Sequence, residues 1–206
     1  MKKAFIDFDG TLVYVYKRYH AILNDYLTIY HNKKIDYKAY IDKKIMRFKD
    51  HEIVFSVHNE LIDIMQYHAF KLENLENQYY LNMDELIPDI KPTLLRIKEK
   101  GYTLELLSYR NNEIELLNEL KRLSIFCMFD KITALIPCSE SNQKSSYISS
   151  NLCGKEDVVI GDSPTEMEAA KENGLLGIFV KTGLFSTEYN DYGLVCENIN
   201  EAIDKI

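Results

Sequence analysis

Five short apolar runs are spaced through the 206-residue chain, at 4–8, 103–107, 131–135, 157–160 and 176–180. Each is too short for a helix, and most lack the strict alternation of a strand with one wet face. Strands buried on both faces read this way, and they belong to parallel sheets covered by helices. Helical patterns fill the later intervals: 92–100 closed by Gly101, 112–123, 143–152, and 164–173 closed by Gly174. From about residue 88 onward strand and helix alternate, which predicts an α/β fold with a Rossmann-like parallel sheet core. In such sheets ligands bind beyond the carboxyl ends of the strands.

Residues 15–85 break that rhythm. Ile22, Leu23, Tyr26, Leu27 and Tyr30, then Ile53, Val57, Leu61, Ile64, Met65 and His68, recur at helical spacing with no convincing strand between them. The chain therefore reads as a discontinuous α/β core, residues 1–14 with 86–206, carrying an inserted α-helical cap subdomain at 15–85 and hinges near Val15 and Leu86. A length of 206 residues suits one domain with a smaller insertion. Tyr26, Tyr30 and Tyr67, with Met46 and Met65, are expected in the core of the insertion.

The net charge of -7 opposes binding to a nucleic acid polymer, whose backbone phosphates attract basic surfaces. No stretch reaches the roughly 18–20 apolar residues needed to cross a bilayer, and no early apolar run escapes Lys2, Lys3, Asp7 and Asp9 to form a signal peptide. Cys127, Cys138, Cys153 and Cys196 form no C-x-x-C pair, so the expectation is a cytoplasmic protein with reduced thiols. Residues 31–50 carry a local excess of base (Lys33, Lys34, Lys38, Lys43, Lys44, Arg47 and Lys49 against Asp36, Asp42 and Asp50). That stretch is read as a solvated helical face, with a surface that draws in an anionic substrate as the alternative. His20, His31, His51, His58 and His68 all lie in the insertion, but none makes the i, i+4 pair of a helical zinc site.

Chemistry concentrates where apolar runs meet acid. Asp7 and Asp9 stand two apart at the end of the first run, before Gly10-Thr11, so both carboxylates can face one crevice. Two like charges there suit a hard cation such as Mg²⁺, which takes carboxylate oxygens and shares its shell with water and substrate phosphate. Asp162, at the end of 157–160, could complete that metal site from a neighbouring strand. Glu166 has two readings, a further metal-site residue or the far end of a Ser163–Glu166 capping box with Pro164 in the first helical position. Ser108 ends the run 103–107 and precedes Tyr109-Arg110, placed to hold a phosphate oxygen at a helix start. Lys144 opens the helix 143–152, where an ammonium opposes the macrodipole unless it leans toward carboxylates.

Together these pieces resemble the haloacid dehalogenase superfamily of phosphohydrolases. Asp7, Asp9, Gly10 and Thr11, then Ser108, then Lys144, then Gly161, Asp162 and Glu166 follow that family's four motifs in order. The insertion after the first motif resembles its type I cap. Glu166 departs from the pattern, standing where members often have Asp. The resemblance implies a Mg²⁺-dependent phosphatase acting on a small phosphorylated metabolite. Asp7 would be the nucleophile, Asp9 the general acid and base, and Ser108 and Lys144 the phosphoryl ligands. Mg²⁺ would be held by the Asp7 carboxylate, the Asp9 carbonyl and Asp162.

Two other readings compete. A phosphomutase of the β-phosphoglucomutase type would use the same core but return the phosphoryl group to a substrate. A phosphoaspartate switch resembling a response-regulator receiver also combines acids, a hydroxyl and a lysine, but receivers are shorter and lack this insertion. No G-x-x-x-x-G-K-[ST] and no G-x-S-x-G occurs, which leaves P-loop and serine-hydrolase chemistry without support.

Overall fold

The computed structural model describes residues 2–138, 140–184 and 193–206. The chain separates into two compact units, residues 1–14 with 85–206, and residues 15–84. The elements of the first unit are β1 (Lys2–Ile6), β2 (Val13–Tyr14), β3 (Glu85–Leu86), β4 (Tyr102–Tyr109), β5 (Lys131–Leu135), β6 (Val158–Gly161), β7 (Leu176–Val180) and β8 (Gly193–Cys196). Helices α1 (Tyr16–His31), α2 (Tyr37–Ile45), α3 (Asp50–His58), α4 (Ile64–Asn74) and α5 (Gln78–Leu81) make the second unit. Helices α6 (Ile90–Glu99), α7 (Glu113–Arg122), α8 (Gln143–Asn151), α9 (Pro164–Glu172) and α10 (Ile199–Ala202) complete the first.

Six strands form one parallel sheet in the order β5-β4-β1-β6-β7-β8. The chain runs outward from β1 to β4 and β5, then returns to the other side of β1 with β6. That reversal makes β1 the switch point, and in open α/β sheets the binding crevice lies there, beyond the strand carboxyl ends. In the register, Ile6 faces Leu106 on one side and Ile160 on the other, so Asp7, Ser108 and Asp162 all come just past one line across three strands. The backbone of Asp7 is tied in as well, its N–H donating to Ile160 O at 2.9 Å.

Both faces of the sheet are covered. Phe5, Leu107 and Val159 pack with Ile148 of α8 and Ala169 and Ala170 of α9 in one apolar cluster. Leu104 and Leu106 have the opposite parity, so they point to the other face, where α6 packs on β4. Two glycines serve as left-handed helix stops, Gly101 after α6 and Gly174 after α9, with φ of 88° and 65°. Strands β5 and β7 match the apolar runs to the residue. Strand β8 and the short antiparallel pair of β2 with β3 lie outside those runs.

The helical unit has its own core, built from Leu23, Tyr26, Leu27, Ile35, Tyr40, Ile53, Val54, Ile62 and Tyr67. Its second periodic run requires correction, because 53–68 is two helices rather than one. Asn59 closes α3 in the left-handed region at φ 52°, and the Asp63 carboxylate starts α4 by accepting from Met65 N and Gln66 N. The interruption turns Leu61, Ile64 and Met65 outward, so Met65 is 84% exposed. Met46 and Tyr30 are likewise exposed rather than core. Lys44 of the basic stretch is spent inside the unit, 2.6 Å from Asp50. Among the described residues no helix is long and apolar enough to cross a membrane.

Candidate active site

Asp7 follows β1 directly and is 7% exposed. Thr11, completely buried, donates from Oγ1 to Asp7 Oδ2 at 3.3 Å, and the turn between them is closed by Thr11 N donating to Phe8 O at 3.2 Å. Lys144, near the start of α8, donates from Nζ to Asp7 Oδ1 at 2.6 Å and also to Glu166 Oε1. The start of that helix is fixed by Asn142, whose Oδ1 accepts from Ser145 N while its Nδ2 donates to Thr165 O on α9. Asn142 therefore holds the origins of Lys144 and Glu166 together, a role invisible in the sequence.

Glu166 is the far end of the capping box through one oxygen and the partner of Lys144 through the other. Its Oε2 accepts from the backbone N and the hydroxyl of Ser163, completing the capping box, while Oε1 takes Lys144. With both oxygens engaged, Glu166 stands behind Lys144, which corrects its inclusion among the metal ligands.

Charge at the site is unbalanced. Asp7, Asp162 and Glu166 are all buried around the ammonium of Lys144. Burial pushes the Asp7 carboxyl up to about 6, against the pull of Lys144 and with further push from Glu166 and Asp9. Burial, then Asp7 and Glu166, drive Asp162 well above the usual carboxylate range. Burial alone would discharge Lys144, but Asp7 and Glu166 raise it above an ordinary lysine.

Asp162 shows what the imbalance fits. Among the described residues none is hydrogen-bonded to its carboxylate, although it is 6% exposed. Its Oδ2 lies so close to two glycines that a Cβ at Gly183 would fall 1.6 Å from it, and one at Gly10 2.5 Å. Thr182 fastens the loop carrying Gly183 by donating to Gly10 O at 2.6 Å. A buried carboxylate without a donor, beside a second whose ionisation is opposed, is an oxygen set that suits a hard divalent cation.

Ser108 is 1% exposed, at the carboxyl end of β4. The ring of Tyr109 lies under the Lys144 ammonium at 5.0 Å, its hydroxyl accepts from Lys144 N at 3.4 Å, and it lines a cavity of about 260 Å³ with Pro137, Cys138 and Asn142. Arg110 is not presented as a substrate ligand, a second correction. Its head is 2% exposed, and its Nη2 donates to Asp9 Oδ1 at 2.8 Å and to Glu119 Oε2 at 3.0 Å. The sequence carries little signal for Glu119, which reads as one more acid on an amphipathic helix. Gly183 was also missed, though a glycine just past a buried strand is the available clue.

A family model described as haloacid dehalogenase-like hydrolase matches residues 5–180. The chain belongs to this family. The matched segment of this haloacid dehalogenase-like hydrolase contains every candidate residue from Asp7 to Glu166. Solved structures agree on the fold. A haloacid dehalogenase-like family hydrolase from Streptococcus pneumoniae is 17% identical with a TM-score of 0.72, over 100% of this chain and 98% of that one. A predicted phosphoglycolate phosphatase from Haemophilus somnus is 16% identical with a TM-score of 0.72, over 100% and 97%. A protein from Thermotoga maritima provisionally named a β-phosphoglucomutase is 17% identical with a TM-score of 0.64, over 100% and 98%. No curated protein sequence matches this hydrolase.

Proposed function

We propose that this hydrolase is a Mg²⁺-dependent phosphatase that cleaves small phosphomonoesters through an aspartyl phosphate on Asp7. The observation that carries the reading is the buried Asp7 carboxylate at the sheet switch point, held 2.6 Å from the Lys144 ammonium. An Asp7 oxygen attacks phosphorus as the ester P–O bond breaks, and Asp9 gives its proton to the leaving oxygen, releasing an alcohol. In the second half Asp9 takes a proton from water as the water oxygen attacks phosphorus. Inorganic phosphate leaves and the Asp7 carboxylate is restored. Ser108 and Lys144 hold phosphoryl oxygens, and Lys144 keeps Asp7 ionised. The Asp7 and Asp162 carboxylates and the Asp9 carbonyl would hold Mg²⁺, which when bound offsets the charge of nucleophile and phosphate.

Residues 15–84 serve as the cap that selects the alcohol portion, since the core groups engage only the phosphoryl group. The four cysteines are free, three of them exposed, which fits a reducing cytoplasmic setting.

Hydrolysis of a panel of phosphomonoesters with and without Mg²⁺, beside Asp7→Asn, tests the reading. Mg²⁺-dependent release of phosphate that Asp7→Asn abolishes is the expected result. Full turnover by Asp7→Asn would remove the nucleophile, and phosphoryl return to a sugar phosphate in place of hydrolysis would convert the assignment to a phosphomutase.

A further inference from the structure

Arg110 joins two carboxylates from distant parts of the core. Its backbone is anchored by N–H donation to Leu135 O at 3.0 Å, and its guanidinium lies 5.7 Å from the centre of the Phe8 ring. Nη2 makes both contacts, to Asp9 Oδ1 and to Glu119 Oε2. Nε and Nη1 are closed off from solvent without a hydrogen-bond partner among the described residues, so no open face of the group meets an incoming phosphate.

A buried guanidinium is costly, and one buried carboxylate is enough to neutralise it. Glu119, with a side chain 1% exposed, supplies that neutralisation from α7. The second contact goes to a side chain of a different kind, because Asp9 is 26% exposed at the rim of the site. A cation that cannot itself move fixes one oxygen, and with it the direction in which the carboxyl faces.

We propose that Arg110, held by Glu119, is a positioning residue that sets the orientation of Asp9 for proton transfer to the leaving group. The inference rests on the phosphatase reading and adds to it a pair of residues outside the motifs. Its signature is selective. An ester with a good leaving group needs little proton donation, whereas an alkyl ester depends on it, and general acid catalysis contributes on the order of 100-fold or more.

The experiment compares kcat and KM for p-nitrophenyl phosphate and for an alkyl phosphate cleaved by the wild type. The variants are Arg110→Lys, Arg110→Gln and the paired Arg110→Met/Glu119→Leu, which removes both buried charges and so retains a fold if a single replacement does not. The expected result for Arg110→Gln and the pair is a loss of about 100-fold in kcat on the alkyl ester, less than about 5-fold on the aryl ester, and little change in KM. Arg110→Lys, which keeps a cation, should recover part of the alkyl rate. Equal losses on both esters, or a rise in KM with no split in kcat, would overturn the proposal. A cycle of unfolding midpoints with Asp9→Asn and Arg110→Gln supplies a readout without turnover. The double variant should shift less than the sum of the singles, and strict additivity would also overturn the assignment. Wild-type protein inactive on every ester would instead sink the phosphatase reading, while the cycle still decides the contact between Arg110 and Asp9.

Discussion

The Nζ of Lys144 lies 2.6 Å from Oδ1 of Asp7 although 137 positions separate them in the chain. Two buried carboxylates, Asp7 and Glu166, share this one ammonium, so its removal touches both charge and chemistry. Lys144→Met is expected to reduce phosphatase turnover by at least about 100-fold and to destabilise the protein by about 3–5 kcal/mol. The loss of stability should be greatest above pH 6, where Asp7 is ionised, and smaller near pH 5. Chemical denaturation at the two pH values measures it.

The wild type without metal should itself lose stability as the solution becomes more alkaline. Asp7 has a folded value of about 6 against an ordinary 3.8, so between these the native state binds more protons than the unfolded chain. Stability is then complete below the lower value and falls through the window by about 3 kcal/mol. Mg²⁺, which stabilises the ionised pair, is expected to raise the melting temperature more at pH 8 than at pH 5. A shift equal at both values would show that Asp7 and Asp162 are not the ligands.

Asp50 in the helical unit should behave with the opposite sign. Burial would raise its carboxyl, but Lys71 and Lys44, with the hydroxyl of Tyr67, bring it down to about 2. This stabilisation is present above pH 4 and lost as the pH falls through 2, and amounts to about 2 kcal/mol. Asp50→Asn is expected to remove it at neutral pH and to flatten the acid limb of a stability profile. An unchanged acid limb would show that the two lysines do not hold the carboxylate.

Gly183→Ala places a methyl group where the Asp162 carboxylate now sits. Either the loop or the carboxylate must yield, at a cost of about 1–3 kcal/mol. Turnover is expected to fall by about 10-fold or more, with a higher Mg²⁺ concentration for half-maximal rate. Magnesium titrations of both proteins would show it.

What the sequence makes legible is local. The runs 131–135 and 176–180 are strands to the residue, and Ser163-Pro164-Thr165-Glu166 is a capping box because all its partners lie within one turn. Periodicity fails where the loop at 59–63 happens to continue the apolar spacing of α3, since burial and spacing part company once Asn59 turns the chain. Arg110 fails for another reason. Nothing adjacent to it names Asp9, 101 positions away, and the role of a buried cation is set by whatever the fold brings to its donors. The bond from Asn142 to Thr165 O is hidden in the same way, since it exists only once α8 and α9 have packed together.

Strand β1 lies in the middle of the sheet, and both of its neighbours, β4 and β6, come later in the chain. On a ribosome it emerges before either neighbour exists, and its apolar side chains wait while all the residues of 15–84 are made. The helical unit, with partners close in sequence, can close first. The segment bearing Asp7 is thus the first part of the sheet to be synthesised, and its second edge is paired only when residues 158–161 arrive. Slowing or truncating translation before that point would leave a folded helical body attached to an unfinished sheet, the state in which a chaperone would be needed.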